Sequence, residues 1–272
     1  MLPLELCPFC NSDLFVLHQY RSRPGGETDF HLPEPYYREL RQCYTCGHIL
    51  NVHQYDLSEL YEGGYGKATY RDINKVKNEF NRIRQLPSYR SDNAGRVRFL
   101  EETWLKDKVC SETLIVPRGS LLDIGSGLGV FPYAMAIRGW GVACIESDPL
   151  LVDNLNDLDL IAFEDTWPSD GPTSTFDLIT FNKVLEHVDN PLSFLSYTRH
   201  YSHKNSTVYI EVPSISAARV SFGREEFFIE HHHVFSAVSV ALLASKAGFQ
   251  LKELYDIVEP SGKYTIRAVM GV

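Results

Sequence analysis

The chain has 272 residues, 44% of them hydrophobic and 22% charged, with a formal net charge of −9, enough for one large globular domain or two modest ones. The acidic balance argues against a general nucleic-acid binder, whose surface must set cations against phosphates. No apolar run approaches the roughly 20 residues that span a bilayer, and Met1 to Cys10 lacks the basic region of a signal peptide, so a cytoplasmic protein without a membrane partner is expected.

Residues 1–54 carry Cys7-Pro8-Phe9-Cys10 and Cys43-Tyr44-Thr45-Cys46, two C-x-x-C pairs separated by 32 residues. That spacing predicts a structural Zn2+ held by Cys7, Cys10, Cys43 and Cys46. Four thiolates leave no open coordination position, so the metal would do no chemistry. Two disulfides or four free thiols are the alternatives, and a reducing cytosol disfavours the disulfides. Each pair is followed by a residue that tolerates a left-handed backbone, Asn11 or Gly47, as a metal knuckle requires. His48 and His53 lie nearby but are not needed in the shell. Arg21 to Gly26 reads as a turn between strands. The module holds four Lys/Arg and six Asp/Glu, a net of −2, which makes a poor nucleic-acid clamp.

Residues 55–118 read as helices with breaks. Leu57 to Tyr61 begins one, which Gly63 to Gly66 interrupts. Asp72 to Gln85 is the next, with Ile73, Val76, Phe80 and Ile83 on one face. Pro87 ends it, and Asp92 caps a helix to Leu105. Together they are expected to form a lid beside a cleft that Tyr61, Tyr65 and Tyr70 could line, though packing or solvent is as good a reading for each.

From residue 119 strands and helices alternate, which predicts a doubly wound α/β domain over 119–272. Strand 121–124 leads through Gly125, Gly127 and Gly129 into a helix near 130–139. Strand 141–147, helix 149–157, a short strand at 161–163 and strand 176–181 follow. Asn190-Pro191 opens another helix, strand 207–212 comes next, and Ser236 caps a helix that ends at Gly248. Residues 249–258 and 264–271 are expected to pair as a hairpin around Pro260-Ser261-Gly262. N–H groups at the N-terminus of the helix that follows suit a polar or anionic ligand, although an ordinary tight turn would read the same way alone.

The stretch L-L-D-I-G-S-G-L-G, with its acid two residues before the first glycine, departs from the G-x-G-x-x-G of dinucleotide enzymes. It resembles motif I of the class I S-adenosylmethionine (SAM) methyltransferases. The F-D-L-I of strand 176–181 and the following V-L-E-H-V with Pro191 strengthen the resemblance. It implies a Rossmann-like, seven-stranded doubly wound sheet with a zinc-ribbon-like module and a helical lid. It also implies SAM contacts at Asp123, Gly125, Ser126, Gly127 and Gly129. Glu146, closing the second strand, is placed to accept hydrogen bonds from ribose hydroxyls; a solvated strand-end acid is the plain alternative. Either Glu164 or Asp165 would meet the adenine. Asn182 stands at the carboxyl end of its strand, where open sheets bind ligands, and His187 is expected only to pin its loop.

Glu230-His231-His232-His233 precedes the helix capped by Ser236. Adjacent residues of an extended chain face opposite ways, so no metal centre is expected in the histidine run. Glu230 and His231 match the E-H of zinc-containing sugar C-methyltransferases, which act on nucleotide-linked keto sugars and use that pair in the active site. Phe228 stands where that family has tyrosine, and the sequence ends where the family continues into a further domain. The resemblance implies methylation of a small molecule, sugar-like or a natural-product precursor. His231 would be the general base, its ordinary pKa near 6.5 suiting that task, and Glu230 its partner. His232 and His233 are assigned no chemistry. The rivals are an RNA methyltransferase docking through its zinc ribbon and a non-catalytic SAM-binding module. The acidic module, and the lack of an aromatic N-P-P-Y-type loop after the fourth strand, argue against the first.

Overall fold

The computed structural model describes residues 6–57, 72–108, 118–168 and 171–272, with side chains left out for 104–108. The helix expected from Leu57 and the tyrosines Tyr61, Tyr65 and Tyr70 lie outside the described residues. Strands β1 (Leu14–Tyr20), β2 (Arg38–Cys43) and β3 (Ile49–Val52) form an antiparallel sheet. Its fourth strand, β9 (His233–Val234), comes from far along the chain and pairs with β3. The amino-terminal module is thus completed by the segment that follows Glu230 and His231.

Helix α1 (Ile73–Arg84) buries Val76 and Phe80, and Asp72 caps it by accepting from the N–H of Asn74 and Lys75 at 2.9 and 3.1 Å. Helix α2 (Asp92–Lys108) is capped one residue earlier than expected. Ser91 Oγ accepts from Ala94 N–H at 3.1 Å, and the Asp92 carboxylate instead holds Ser261, by its N–H at 3.0 Å and its hydroxyl at 2.6 Å. The cap moved because a serine adjoins the aspartate, and either suits the position.

The large sheet contains β4 (Ser120–Ile124), β5 (Gly141–Glu146), β6 (Ile161–Glu164), β7 (Phe176–Asn182), β8 (Ser202–Pro213), β10 (Gln250–Val258) and β11 (Tyr264–Gly271). Its order is β10-β11-β8-β7-β4-β5-β6. The strands from β6 across to β8 are parallel, and β11 runs antiparallel to both β8 and β10. The connecting helices are α3 (Val130–Ala136), α4 (Pro149–Asp157), α5 (Pro191–Tyr197) and α6 (Ala237–Lys246). Strand β8 begins at Ser202, five residues before the apolar run that marks it in the sequence. The hairpin closes where Gly262, at φ +91°, donates to the Glu259 carbonyl at 2.8 Å.

Alternate residues of each strand face opposite layers. Leu122 and Ile124 pack toward Phe235, Val240 and Leu243 of the α6 side, while Leu121 packs with Val97, Phe131 and Leu155 of α2, α3 and α4. Cys7 and Phe9 join the first of these layers, so the cysteine module shares a core with the large sheet. Strand order reverses between β4 and β7, and ligands of open α/β sheets bind at the carboxyl ends beside such a reversal.

Candidate functional site

A cleft of about 690 Å³ opens at that reversal. It runs from the glycine turn, Glu146 and Asp165 at one end to Glu230 and His231 at the other. Every site residue expected outside the cysteine cluster lines it except Gly129. A Cβ on Gly129 would meet Leu155 Cδ2 at 2.7 Å, so this glycine seats α3 on α4. Gly127 lines the cleft at φ +54° with nothing within 4 Å of where its Cβ would stand, which leaves that space to a ligand.

The turn's N–H groups are largely taken within the protein. Gly125 and Ser126 donate to the Ile145 carbonyl at 2.9 and 3.4 Å, and Gly129 to that of Ser126 at 3.0 Å. Gly127 donates to Glu146 Oε2 at 2.8 Å. These four turn amides are therefore engaged within the protein, which leaves a polar or anionic ligand to the N–H groups of the helix that follows. The Glu146 carboxylate also accepts from Asp148 N–H at 3.0 Å. Burial raises the Glu146 pKa against the pull of those amides.

Asp123, at the end of β4, is buried, and its Oδ1 accepts from Thr180 Oγ1 at 2.5 Å and Asn182 Nδ2 at 2.9 Å. Burial pushes its carboxyl to about 6 against those hydrogen bonds. Asn182 is thereby fixed with Nδ2 inward, and its buried Oδ1 has no hydrogen-bond partner among the described residues. Asp165 lines the cleft, while Glu164 is exposed and does not.

At the other end, the loop after β7 brings Glu186 and His187 against His231. The two imidazoles stand edge to face, centroids 4.8 Å apart at 68°. His187 Nδ1 lies 2.9 Å from the Glu230 carbonyl and His231 Nδ1 3.1 Å from that of Glu226. Burial lowers both pKa values, His187 to about 4 and His231 well below the usual histidine range. Burial also lifts the carboxyls of Glu186 and Glu230 to about 7. The histidine run diverges: His233 Nδ1 meets His48 Nε2 at 3.0 Å in the core, and His232 faces Asp189. His187, bonded to the Glu230 carbonyl, and Glu186 both line the cleft beside His231, and Glu186 was not among the residues singled out from the sequence. Its one signal in the sequence is adjacency to His187 within V-L-E-H-V.

The amino-terminal module holds the segment that carries Glu230 and His231. Arg38 Nη1 donates to the Phe227 carbonyl at 2.8 Å, Asn51 Nδ2 to that of Phe228 at 3.0 Å, and Ile229 N–H to Glu27 Oε2 at 2.7 Å. Arg38 and Glu27 form a fully buried ion pair at 2.8 Å. Arg38 also stacks over the Tyr20 ring at 3.6 Å.

The four cysteines gather as expected. Their Sγ atoms all lie within 4.8 Å of one another, a group able to hold a metal ion, and none is in a disulfide. Asn11 and Gly47 take φ of +58° and +73°, and the N–H groups of Thr45 and Cys46 each point at Cys43 Sγ at 3.4 Å. The knuckles therefore have the backbone form that the sequence called for.

The methyltransferase-domain family matches residues 95–254, more than half of the chain. The chain belongs to that family. No curated protein matches this methyltransferase in sequence, but solved structures resemble it. The 1,6-didemethyltoxoflavin-N1-methyltransferase of Burkholderia thailandensis, solved with 1,6-didemethyltoxoflavin and S-adenosylhomocysteine, is 14% identical at a TM-score of 0.55. That match covers 92% of this chain and 99% of the other. The glycopeptide N-methyltransferase MtfA is 10% identical at 0.51, over 67% of this chain and 90% of its own. A possible histamine N-methyltransferase from Thermotoga maritima is 16% identical at 0.50, over 74% and 98%. At these identities the likeness is one of fold. No helix among the described residues is long and apolar enough to cross a membrane.

Proposed function

We propose that this chain is a SAM-dependent methyltransferase acting on a small molecule, with a structural zinc module in front. The observation that carries the reading is the one continuous cleft joining Asp123, Glu146 and Asn182 to Glu186, Glu230 and His231. Its cofactor end suits a nucleoside without a pyrophosphate. Glu146 takes the amide that a phosphate would need, and a carboxylate there meets ribose hydroxyls instead. Asn182 Oδ1, buried and unpartnered, suits the amino group of a methionine moiety, and Asp165 suits the adenine edge. SAM, when bound, supplies an electrophilic methyl group whose sulfur keeps the electron pair as the carbon leaves.

The chain's own task is to place the acceptor and draw off its proton. His231, with Nδ1–H directed at the Glu226 carbonyl, keeps its Nε2 lone pair available and is neutral at pH 7. We assign it as base and Glu230 as its partner in holding the acceptor. A hydroxylated, sugar-like acceptor or natural-product precursor fits a cleft end furnished with carboxylates and imidazoles. The resemblance to sugar C-methyltransferases supports the sugar-like acceptor, and the acceptor named for the Burkholderia thailandensis enzyme is itself a small molecule. Among the described residues no cysteine is in a disulfide, which fits the reducing cytoplasm proposed for the protein. An RNA acceptor is disfavoured, because Arg38 and Arg41 of the module are committed to Glu27 and Glu39.

Mass spectrometry of ligands that co-purify with the protein, then a methyl-transfer screen on nucleotide sugars and hydroxylated precursors, tests the reading. With an acceptor in hand, His231→Asn should lower turnover about 10²- to 10⁴-fold at near-normal SAM affinity. A wild type that fails to bind SAM in calorimetry refutes the proposal. His233 cannot serve as the neutral comparison, being buried against His48; the half-buried His232 is the better one.

A further inference from the structure

In a neutral imidazole, the hydrogen bond made by one ring nitrogen decides which nitrogen keeps the lone pair. For His231 that bond is to the Glu226 carbonyl, 3.1 Å from Nδ1. A carbonyl only accepts, so the proton sits on Nδ1 and the lone pair on Nε2. The tautomer therefore depends on whatever holds the Glu226 carbonyl. Residues Glu225–Phe227 make a single 3₁₀ turn, too short to fix a carbonyl by its own hydrogen bonds.

Arg224 holds this carbonyl in two ways. Its own carbonyl accepts from Phe227 N–H at 3.0 Å, and that N–H shares one planar peptide group with the Glu226 carbonyl. Its guanidinium also takes the Glu226 carboxylate in a fork, Nε to Oε2 at 3.0 Å and Nη2 to Oε1 at 2.9 Å, the strong geometry for such a pair. An exposed pair would count for little, but the Glu226 side chain is only 3% exposed. The β10–β11 hairpin completes the anchor. Tyr264 N–H donates to Glu226 Oε1 at 2.7 Å, and Arg224 Nη2 to the Gly262 carbonyl at 2.8 Å. The hairpin tip is tied in turn to α2 through Asp92 and Ser261. Glu226 lines the cleft, yet both its oxygens are engaged within the protein, so its side chain serves as an anchor rather than as a base.

We propose that Arg224 and Glu226 are positioning residues for the methyl transfer, holding the Glu226 carbonyl against His231 Nδ1 so that the lone pair stays on Nε2. The inference rests on the methyltransferase reading, with His231 as base, and deepens it. Nε2 takes the acceptor's proton as the acceptor atom bonds to the methyl carbon and the carbon–sulfur bond breaks with its pair on sulfur. The imidazolium so formed has N–H on both nitrogens, and the Glu226 carbonyl stabilises it from the Nδ1 side. With that carbonyl turned away the proton can move to Nε2, and the ring then has no lone pair to offer.

The test is nitrogen NMR of full-length protein carrying isotopically labelled histidine, which tells an N–H nitrogen from one with a lone pair. The His231 signals are those that vanish in His231→Asn. The wild type should show the proton on Nδ1. Arg224→Met and Glu226→Gln should each shift His231 toward the Nε2–H form and lower kcat by up to about a hundredfold, with SAM affinity near wild type as proof of folding. Arg224→Lys, which keeps a cationic donor without the fork, should fall between. Should Arg224→Met misfold, Arg224→Lys and Glu226→Gln carry the same comparison. A part played only in stability would move the melting point and leave the tautomer alone. A wild type protonated on Nε2, or folded variants with unchanged tautomer or unchanged kcat, overturns the proposal. Failure of the wild type to bind SAM would overturn the methyltransferase reading on which it rests, and the tautomer measurement, which needs no cofactor, tells the two failures apart.

Discussion

Arg38→Met tests whether the amino-terminal module positions the acceptor end of the cleft. Arg38 is wholly buried and joins Glu27, Tyr36, Asn51 and the Phe227 carbonyl. Methionine fills much of its volume but leaves the Glu27 carboxylate buried without its cation. Breaking a buried pair in this way costs about 3–5 kcal/mol, so the urea midpoint should fall clearly. Adding Glu27→Gln removes the stranded charge, and the double variant should regain most of that loss. Function separates positioning from mere stability. The variant frees the Phe227 carbonyl and loosens the Glu27 contact to Ile229, one residue before Glu230. A displacement near 1 Å there can cost about a hundredfold in turnover. Asp123, Glu146 and Asn182 lie at the ends of sheet strands, so SAM affinity should hold near wild type. Turnover and SAM calorimetry, measured on folded protein, are the assay. Unchanged turnover, or turnover and SAM affinity falling together, would refute the positioning role.

Glu146→Ala should weaken SAM binding about tenfold or more in calorimetry, since each charge-assisted hydrogen bond lost is worth roughly 1.5–3 kcal/mol; unchanged affinity would remove the ribose assignment. Zinc analysis of protein purified without added metal should find one ion per chain, and Cys43→Ser should lose it and melt earlier, because structural zinc contributes folding energy directly. A stable, metal-free wild type would contradict this. His53, packed near His232, Arg38 and Asp189, is depressed by burial to about 4. The unfolded chain therefore binds a proton that the fold refuses, and the stability held above pH 6.5 is lost as pH falls toward 4. At pH 5 the contribution lost is up to about 2 kcal/mol. Urea unfolding should show a correspondingly smaller drop between pH 7.5 and 5 for His53→Gln than for wild type.

Much of the large sheet was legible because its strands are short apolar runs closed by glycine, proline or a capping serine, signals that act locally. Asp123, Glu146 and Asn182 were legible for the same reason, each sitting at a strand end that hydropathy marks. The approach of Glu186 to His231 was not, because the two lie 45 residues apart and meet only across a loop. The buried Arg38 pair was equally hidden. In the sequence Arg38 and Glu27 count as two surface charges in an acidic module, and only the packing of β2 beneath residues 227–229 makes them internal. The three histidines of the run diverge as expected, though by a turn at residues 228–231 as well as by strand alternation: His231 N–H donates to the Phe228 carbonyl at 3.0 Å. Only His233 and Val234 are strand, so extended-chain geometry did not apply to His231.

The same packing ties the four-cysteine cluster to the cleft. Ser236 caps α6 and also donates its hydroxyl to the Cys46 carbonyl at 2.5 Å, so the second cysteine knuckle and the helix after the site share one contact. Phe9, between the first two cysteines, packs on His48 at 4.5 Å and on Phe235 at 5.9 Å, just beyond β9. The segment from Glu230 to Ser236 thus has one end against the cluster and the other against the Arg38–Glu27 pair. A turn of this kind has no helix or long strand of its own to hold Glu230 and His231 in place. In the proposed reading, four sulfurs around one ion would fix both knuckles at once, and that rigidity would pass through Phe9 and Ser236 to Glu230 and His231, the pair proposed for the acceptor chemistry.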